Sequence, residues 1–204
     1  EGWKNAEAML KEISDELSLN AERREGEAAL YGPKLDYMFK DSLGREWQLA
    51  TIQIDFAMPA RFKLEYSGQD GAKQTPVMIH RAILGSYERF MAILIEHYAG
   101  AFPLWLSPVQ VKILPVGEKF MEYAKTVHAQ LQAADIRSEL DTSNETLGKK
   151  VRGAKVEKVP YWIVVGEKEM TDRTVTLENR TGNKSTFLIA QTISHLQTEI
   201  KGKK

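Results

Sequence analysis

Cysteine is absent from the 204-residue chain, which excludes a disulfide framework and any thiolate metal site. Long apolar runs are absent too. Every apolar stretch meets a charge well short of the roughly 20 residues needed to cross a bilayer. The first residues, Glu1-Gly2-Trp3-Lys4, lack the basic start and apolar core of a secretory leader. Internal repeats and low-complexity tracts are also missing. A reducing cytoplasm is the expected compartment, and neither a membrane nor DNA is an expected partner. Net charge is zero, with 28 Lys and Arg against 28 Asp and Glu. What is present is ordinary for a globular protein: 43% hydrophobic and 27% charged residues. The length suits one large domain or two of about 100 residues each.

The zero charge hides an asymmetry. Residues 1–106 carry 12 Lys and Arg against 16 Asp and Glu, leaving 16 against 12 for residues 107–204. An acidic first half and a basic second half point the second towards a polyanion. The patterning changes at the same place. Trp3, Ala6, Leu10, Ile13 and Leu17 recur at spacings of three and four, one stripe of a helix. Residues 35–39 and 47–56 alternate around the turn Asp41-Ser42-Leu43-Gly44 and predict an antiparallel hairpin. A short apolar strand follows at residues 76–79, then a helix from Gly85 to Gly100. Prolines 103 and 108 mark a boundary. Beyond it, strands at 109–114, 136–140, 161–165 and 174–177 alternate with helices, the last carrying Ile189, Ile193, Leu196 and Ile200. The expectation is an antiparallel α+β region, residues 1–106, followed by an α/β domain, residues 107–204, with a mixed, mainly parallel sheet.

Two stretches carry chemistry. The first runs Glu25-Gly26-Glu27-Ala28-Ala29-Leu30-Tyr31-Gly32-Pro33-Lys34-Leu35-Asp36, followed by Leu43-Gly44-Arg45-Glu46-Trp47-Gln48. The second runs Pro76-Val77-Met78-Ile79-His80-Arg81-Ala82-Ile83-Leu84-Gly85-Ser86-Tyr87-Glu88-Arg89-Phe90. Together they resemble class II aminoacyl-tRNA synthetases of the threonyl type, and the second resembles motif 3 of that class. The resemblance continues through the second half, whose expected identity is an anticodon-binding domain. The first half is then an incomplete class II catalytic portion, because neither motif 1 nor motif 2 occurs in it. By itself such a chain is expected to be inactive and to hold no tight zinc, whereas the full-length enzyme would act as a homodimer.

The resemblance implies a role for each matching residue. A guanidinium at the first turns of a helix can clamp phosphate, so Arg89 is expected to be catalytic and to bind ATP. Lys34 would supply positive charge, near either the pyrophosphate or the reacting carboxylate. Gln48, Thr51 and Ser86 would also line the ATP site, with Mg2+ as the counter-ion. Tyr31, Gln53 and His80 would face threonine, His80 as one ligand of a Zn2+ whose other ligands lie upstream. Taken without the resemblance, Tyr31 and Lys34 belong to a structural turn and Arg89 to a solvated helix face. Strict alternation places Thr51, Gln53 and Asp55 on one face of their strand and Gln48 on the other. A role for Gln48 towards ATP therefore requires a bulge.

In the second half, Asn144 either caps a helix over residues 145–158 or reads a base. Lys149, Lys150 and Arg152 make that helix basic, a solvated face or a set of phosphate contacts. Asn144 and Glu169 match positions of the family that meet the anticodon of tRNA-Thr. Two departures stand out. Gln48-Leu49-Ala50-Thr51 replaces Gln-Cys-Gly-Thr, and Glu178 stands where the family commonly has Arg. They raise an alternative, a non-catalytic synthetase-like paralogue or accessory tRNA-binding protein.

Overall fold

In the computed structural model, which describes residues 2–203, the first apolar stripe forms helix α1, Gly2–Glu16. Its buried positions are Ala6, Leu10 and Ser14, a narrower face than the sequence stripe. Trp3, Ile13 and Leu17 stay 40%, 43% and 63% exposed. The main packing partner of α1 is one strand, β1, Lys34–Lys40, which covers only a narrow stripe of the helix. The predicted hairpin joins β1 to β2, Glu46–Asp55. Asp41 closes its turn by accepting the Leu43 and Arg45 N–H groups at 3.0 and 2.9 Å. The four-residue helix α2, Met58–Arg61, follows. A two-stranded ribbon comes next, β3, Tyr66–Ser67, and β4, Lys73–Gln74. Strand β5, Met78–Ala82, then pairs antiparallel with β2, giving a three-stranded sheet in the order β1-β2-β5. Helix α3, Tyr87–Tyr98, closes this part.

The bulge demanded by Gln48 is present. Tyr37 pairs with Ala50 and Met38 with Gln48, so Leu49 has no partner on β1. One extra residue reverses every side chain beyond it. Gln48 thereby joins the face of Thr51, Gln53 and Asp55, and Trp47 moves to the face of Ala50, Ile52 and Ile54. Simple alternation had these two residues the wrong way round.

Strand β6, Val111–Pro115, is buried at every position. Helix α4, Met121–Ala133, leads to β7, Ser138–Leu140, and α5, Leu147–Val156, leads to β8, Tyr161–Val165. Both β7 and β8 lie parallel to β6. The short helix α6, Glu167–Asp172, then brings β9, Thr174–Asn179, back antiparallel to β8. A tight turn, in which Asn179 Oδ1 accepts the Thr181 and Asn183 N–H groups at 3.1 and 3.0 Å, adds β10, Lys184–Leu188, to the sheet edge. The polar run Lys184-Ser185-Thr186 hides this strand from apolar periodicity. Helix α7, Ile189–Lys201, ends the fold. The sheet order is β10-β9-β8-β6-β7, a mixed sheet with two parallel and two antiparallel pairings.

Two units result, Glu1–His97 and Tyr98–Lys204. Residues 102–107 belong with the second. Leu104 is buried in its core, Gln110 Nε2 donates to Leu104 O at 2.9 Å, and Arg137 donates to the carbonyls of Trp105 and Ser107. Among the described residues, no helix is long and apolar enough to cross a membrane.

Candidate functional site

Most of the predicted site residues of the first unit gather on the polar face of the three-stranded sheet. Gly32 lets the loop before β1 close onto β2: a Cβ there would stand 1.6 Å from Ile54 O. Backbone bonds from Ile54 N to Pro33 O and from Phe56 N to Tyr31 O fix that contact. The Tyr31 hydroxyl consequently donates to Gln53 Oε1, and its ring lies 5.1 Å from that of His80. Pairing of β2 with β5 sets His80 opposite Gln53. Tyr31, Gln53 and His80, expected to act together, do form one cluster.

A second cluster lies beside it along β1. Lys34 Nζ is bonded to Asp36 Oδ2, and the Gln48 Nε2 donates to Asp36 Oδ1 at 2.7 Å. The Lys34 and Asp36 side chains are only 17% and 18% exposed, so this pair is held more firmly than a surface ion pair. Lys34, Asp36 and Gln48 line one side of a cleft of about 570 Å³, with α1 residues such as Lys4 and Lys11 on the other. That volume is within the usual range for a small-molecule site. Thr51 Oγ1 is buried without a hydrogen-bond partner on the same sheet face.

Arg89 is positioned by a different device. Ser86 Oγ accepts the Arg89 N–H at 3.1 Å, capping the start of α3. Gly85 takes φ +69°, and a Cβ on it would lie 2.7 Å from Leu49 O. Only glycine tolerates both constraints. The bulged Gln48 carbonyl accepts from Arg89 Nη1 at 3.1 Å, and the guanidinium lies 5.7 Å from the Trp47 ring centre. The bulge thus serves both residues, turning the Gln48 amide to the polar face and its carbonyl to Arg89. Leu49 itself is buried at this point.

Two carboxylates central to this arrangement were not singled out from the sequence. Asp36 joins Lys34 to Gln48. Asp55 is fully buried; its Oδ1 accepts the Ala57 and Met58 N–H groups, each at 2.9 Å, and its Oδ2 lies 2.9 Å from His80 Nε2. Burial pushes the Asp55 carboxyl up, but the bonds from Met58, His80 and Ala57 outweigh it and hold the group below its ordinary value. Alternation along β2 was the available signal, since Asp55 follows Thr51 and Gln53 on one face. The partner on β5 is 25 residues away and gave none.

In the second unit, Asn144 is exposed but is not a cap, because α5 begins at Leu147 with Thr146 in the cap position. Lys149 and Arg152 are exposed, Lys149 paired with Glu145 at 2.6 Å. Lys150 does not share that face. Its side chain is 4% exposed, and its ammonium donates to Pro115 O at 3.2 Å and lies 3.9 Å from Asp141. The phosphate contact expected of Lys150 is therefore closed off by burial. Glu169 is also occupied: Oε2 accepts the Gly166 N–H at 3.0 Å and Oε1 the Thr176 hydroxyl at 2.7 Å. Glu178 is buried and paired with Lys184 at 3.1 Å.

Against known proteins, residues 1–98 match the tRNA synthetase class II core domain (G, H, P, S and T), and residues 110–199 match an anticodon-binding domain. The chain is 50% identical over 204 residues to the threonine–tRNA ligase of Pelodictyon phaeoclathratiforme, covering all of this chain and 31% of that protein. It is likewise 50% identical over 201 residues to the threonine–tRNA ligase of Gloeobacter violaceus, covering 97% of this chain and 32% of that one. The chain therefore spans about a third of the length of these curated relatives. A crystal structure of the RNA-binding domain of threonyl-tRNA synthetase from Cryptosporidium parvum superposes with a TM-score of 0.89 at 39% identity, over 97% of this chain and 50% of that one.

Proposed function

The chain belongs to the class II aminoacyl-tRNA synthetases, with part of a core domain followed by an anticodon-binding domain, and from that premise we propose that its protein joins threonine to tRNA-Thr at the expense of ATP. The observation that carries this reading is half-identity, along the whole chain, to threonine–tRNA ligases. The grouping of the site residues on one sheet supports it.

In the first step the threonine carboxylate attacks the α-phosphorus of ATP, giving an adenylate and releasing pyrophosphate. Negative charge on the phosphoryl oxygens grows at that moment, and cations fixed in advance stabilise it. Arg89 is fixed by the Gln48 carbonyl and the Ser86 cap, and Lys34 by Asp36. Gln48, Thr51 and Ser86 complete the ATP side, with Mg2+ on the phosphates. In the second step a terminal tRNA hydroxyl attacks the acyl carbon, and AMP leaves.

Tyr31, Gln53 and His80 form the threonine side. Zinc, implied by the family, requires three protein ligands to leave a place for substrate. Among the described residues no group of three His, Cys, Asp or Glu could hold a metal, so this chain offers His80 alone. His80 suits the part, since metal-binding imidazoles are held by a carboxylate on their other nitrogen and Asp55 stands there. Zinc would bind the amino and hydroxyl groups of threonine and so reject valine.

The second domain would meet tRNA through Lys149 and Arg152, with Asn144 and Glu169 near the anticodon. We place the division between the domains within residues 98–110. The paralogue reading draws on Glu178, a carboxylate where a cation is common, yet Glu178 is buried and neutralised by Lys184. Leu49 is likewise absorbed by the bulge. ATP–pyrophosphate exchange by the full-length protein, assayed across amino acids, tests the proposal. Threonine should be preferred, and Arg89→Ala should slow exchange by about 10²–10³-fold. Preference for serine, proline or glycine would defeat it.

A further inference from the structure

We propose that Trp47 is a positioning residue for Arg89: its indole, held by Asp41, carries the guanidinium on its ring face and sets the direction in which Arg89 meets ATP. This rests on the reading of Arg89 as the residue that clamps ATP and adds the group that aims it.

An arginine side chain has so many rotatable bonds that a fixed backbone does not fix its guanidinium. Ser86 accepts the Arg89 N–H, which settles only the main chain. Arg89 is exposed, and the Gln48 carbonyl engages its Nη1 at 3.1 Å, one donor group of a fork that offers several. The Trp47 ring is the second support, with the guanidinium carbon 5.7 Å from its centre. An aromatic face attracts a cation through its ring electrons and leaves the outward N–H groups of the fork open to phosphate oxygens. A carboxylate in the same place would compete with phosphate for them.

The indole is itself anchored. Trp47 Nε1 donates to Asp41 Oδ2 at 2.9 Å. The Asp41 side chain is 1% exposed and also accepts the Leu43 and Arg45 N–H groups. Arg45, whose guanidinium lies 5.8 Å from the same ring, is paired with Asp41 at 2.6 Å and stands 3.8 Å from Glu96. Its charge is therefore largely offset and repels Arg89 little. Arg89 and Glu96 lie about two turns apart on α3 and so share one face of that helix. Trp47 and Arg45 thus hold the hairpin end against α3 at two points, which fixes the register of Arg89 over the indole.

The test is ATP–pyrophosphate exchange by the full-length protein, measured in two backgrounds. In the wild type, Trp47→Leu should lower kcat about 10–100-fold, the cost of a catalytic group displaced by roughly an ångström, with KM for threonine unchanged. In Arg89→Ala the same change should have almost no further effect, because the side chain it aims is gone. Trp47→Phe keeps a ring face but loses the bond to Asp41, and its kcat should fall between those of wild type and Trp47→Leu. In the 204-residue chain, nuclear Overhauser contacts should join the Arg89 Cδ protons to the indole. If Trp47→Leu does not fold, Trp47→Phe is compared in both backgrounds by the same criterion. If Arg89→Ala leaves exchange unchanged, the ATP reading of Arg89 falls and this proposal falls with it. If Arg89→Ala slows exchange while Trp47→Leu is harmless, or slows both backgrounds by the same factor, the ATP reading stands and the proposal alone is overturned. Missing Overhauser contacts in the folded chain, or a Trp47→Phe variant as slow as Trp47→Leu, would overturn it too.

Discussion

The two units use their apolar residues in opposite ways. Among the described residues, three buried hydrophobic residues lie in the first unit (Ala6, Leu10 and Leu49) and seventeen in the second, whereas eighteen exposed large hydrophobics lie in the first and four in the second. The second unit covers both faces of its sheet with its own helices, and Val111, Ile113, Leu131, Ile163 and Leu196 join in one core. The first unit gathers Tyr31, Lys34, Gln48, Gln53 and His80 on one sheet face and leaves apolar residues such as Phe39, Ile79 and Ile83 exposed. Its order comes instead from polar links to main chain: Asp41 in the hairpin turn, Asp55 at α2, Ser86 at α3. The two units are ordered by different means.

The sharpest way to break this comparison is to remove an aromatic or apolar side chain from each unit. Trp162, fully buried against Leu114 and Ala154, should cost about 3–5 kcal/mol when changed to Ala. Ile79, 67% exposed, should cost no more than about 0.5 kcal/mol. Urea unfolding of the 204-residue chain, followed by circular dichroism, would compare them. Equal costs would mean that Ile79 is covered in solution.

A smaller effect is expected where the first unit depends on close backbone approach. Gly85→Ala adds a Cβ to a residue at φ +69°, 2.7 Å from Leu49 O. Strain of this kind costs about 1–3 kcal/mol and should move the β2 bulge, loosening Arg89. Amide exchange should speed up at Leu49 and Ala50 while the second unit keeps its protection. Unchanged exchange at those amides would show that the bulge forms without Gly85.

The basic helix of the second unit divides its own lysines. Reversing the exposed pair, Lys149→Glu with Arg152→Glu, should lower tRNA affinity across sequences and reduce the salt slope by about 2. Lys150→Met should leave the slope unchanged, because the ammonium it removes faces Pro115 O and Asp141. Gel shifts at several salt concentrations give both slopes. A slope altered by Lys150→Met would place that ammonium on the tRNA after all.

The smallest expected effect is a local acid sensitivity. The Trp47 indole N–H, against a push upward from burial, and bonds from Arg45 and Leu43 hold the Asp41 carboxyl down at about 2. A group depressed on folding adds stability that is complete above its unfolded value, about 3.9, and is lost as pH falls through the folded one. The hairpin should therefore weaken between about pH 4 and 2. In Asp41→Asn, urea midpoints should fall less over that interval. An identical decline would assign the acid limb to other carboxylates.

Much of this protein was legible in one dimension. The Tyr31-Gly32-Pro33-Lys34 stretch, the run from His80 to Arg89, the hairpin around Asp41 and the βαβ order beyond residue 107 are all local patterns. Each depends on residues a few positions apart, where side-chain period and turn chemistry act directly. Strand β10 escaped because its residues are mostly polar and it lies at the edge of the sheet, paired on one side alone. Lys150 escaped because a helical period gives a face, not what covers it. The bulge at Leu49 escaped because it exists only between two paired strands, and the same pairing of distant strands set His80 beside Asp55. Sequence thus determined which groups the protein carries and on which elements. The tertiary structure alone decided which of them meet, because register and burial are set by residues far apart in the chain, through contacts that no local period encodes.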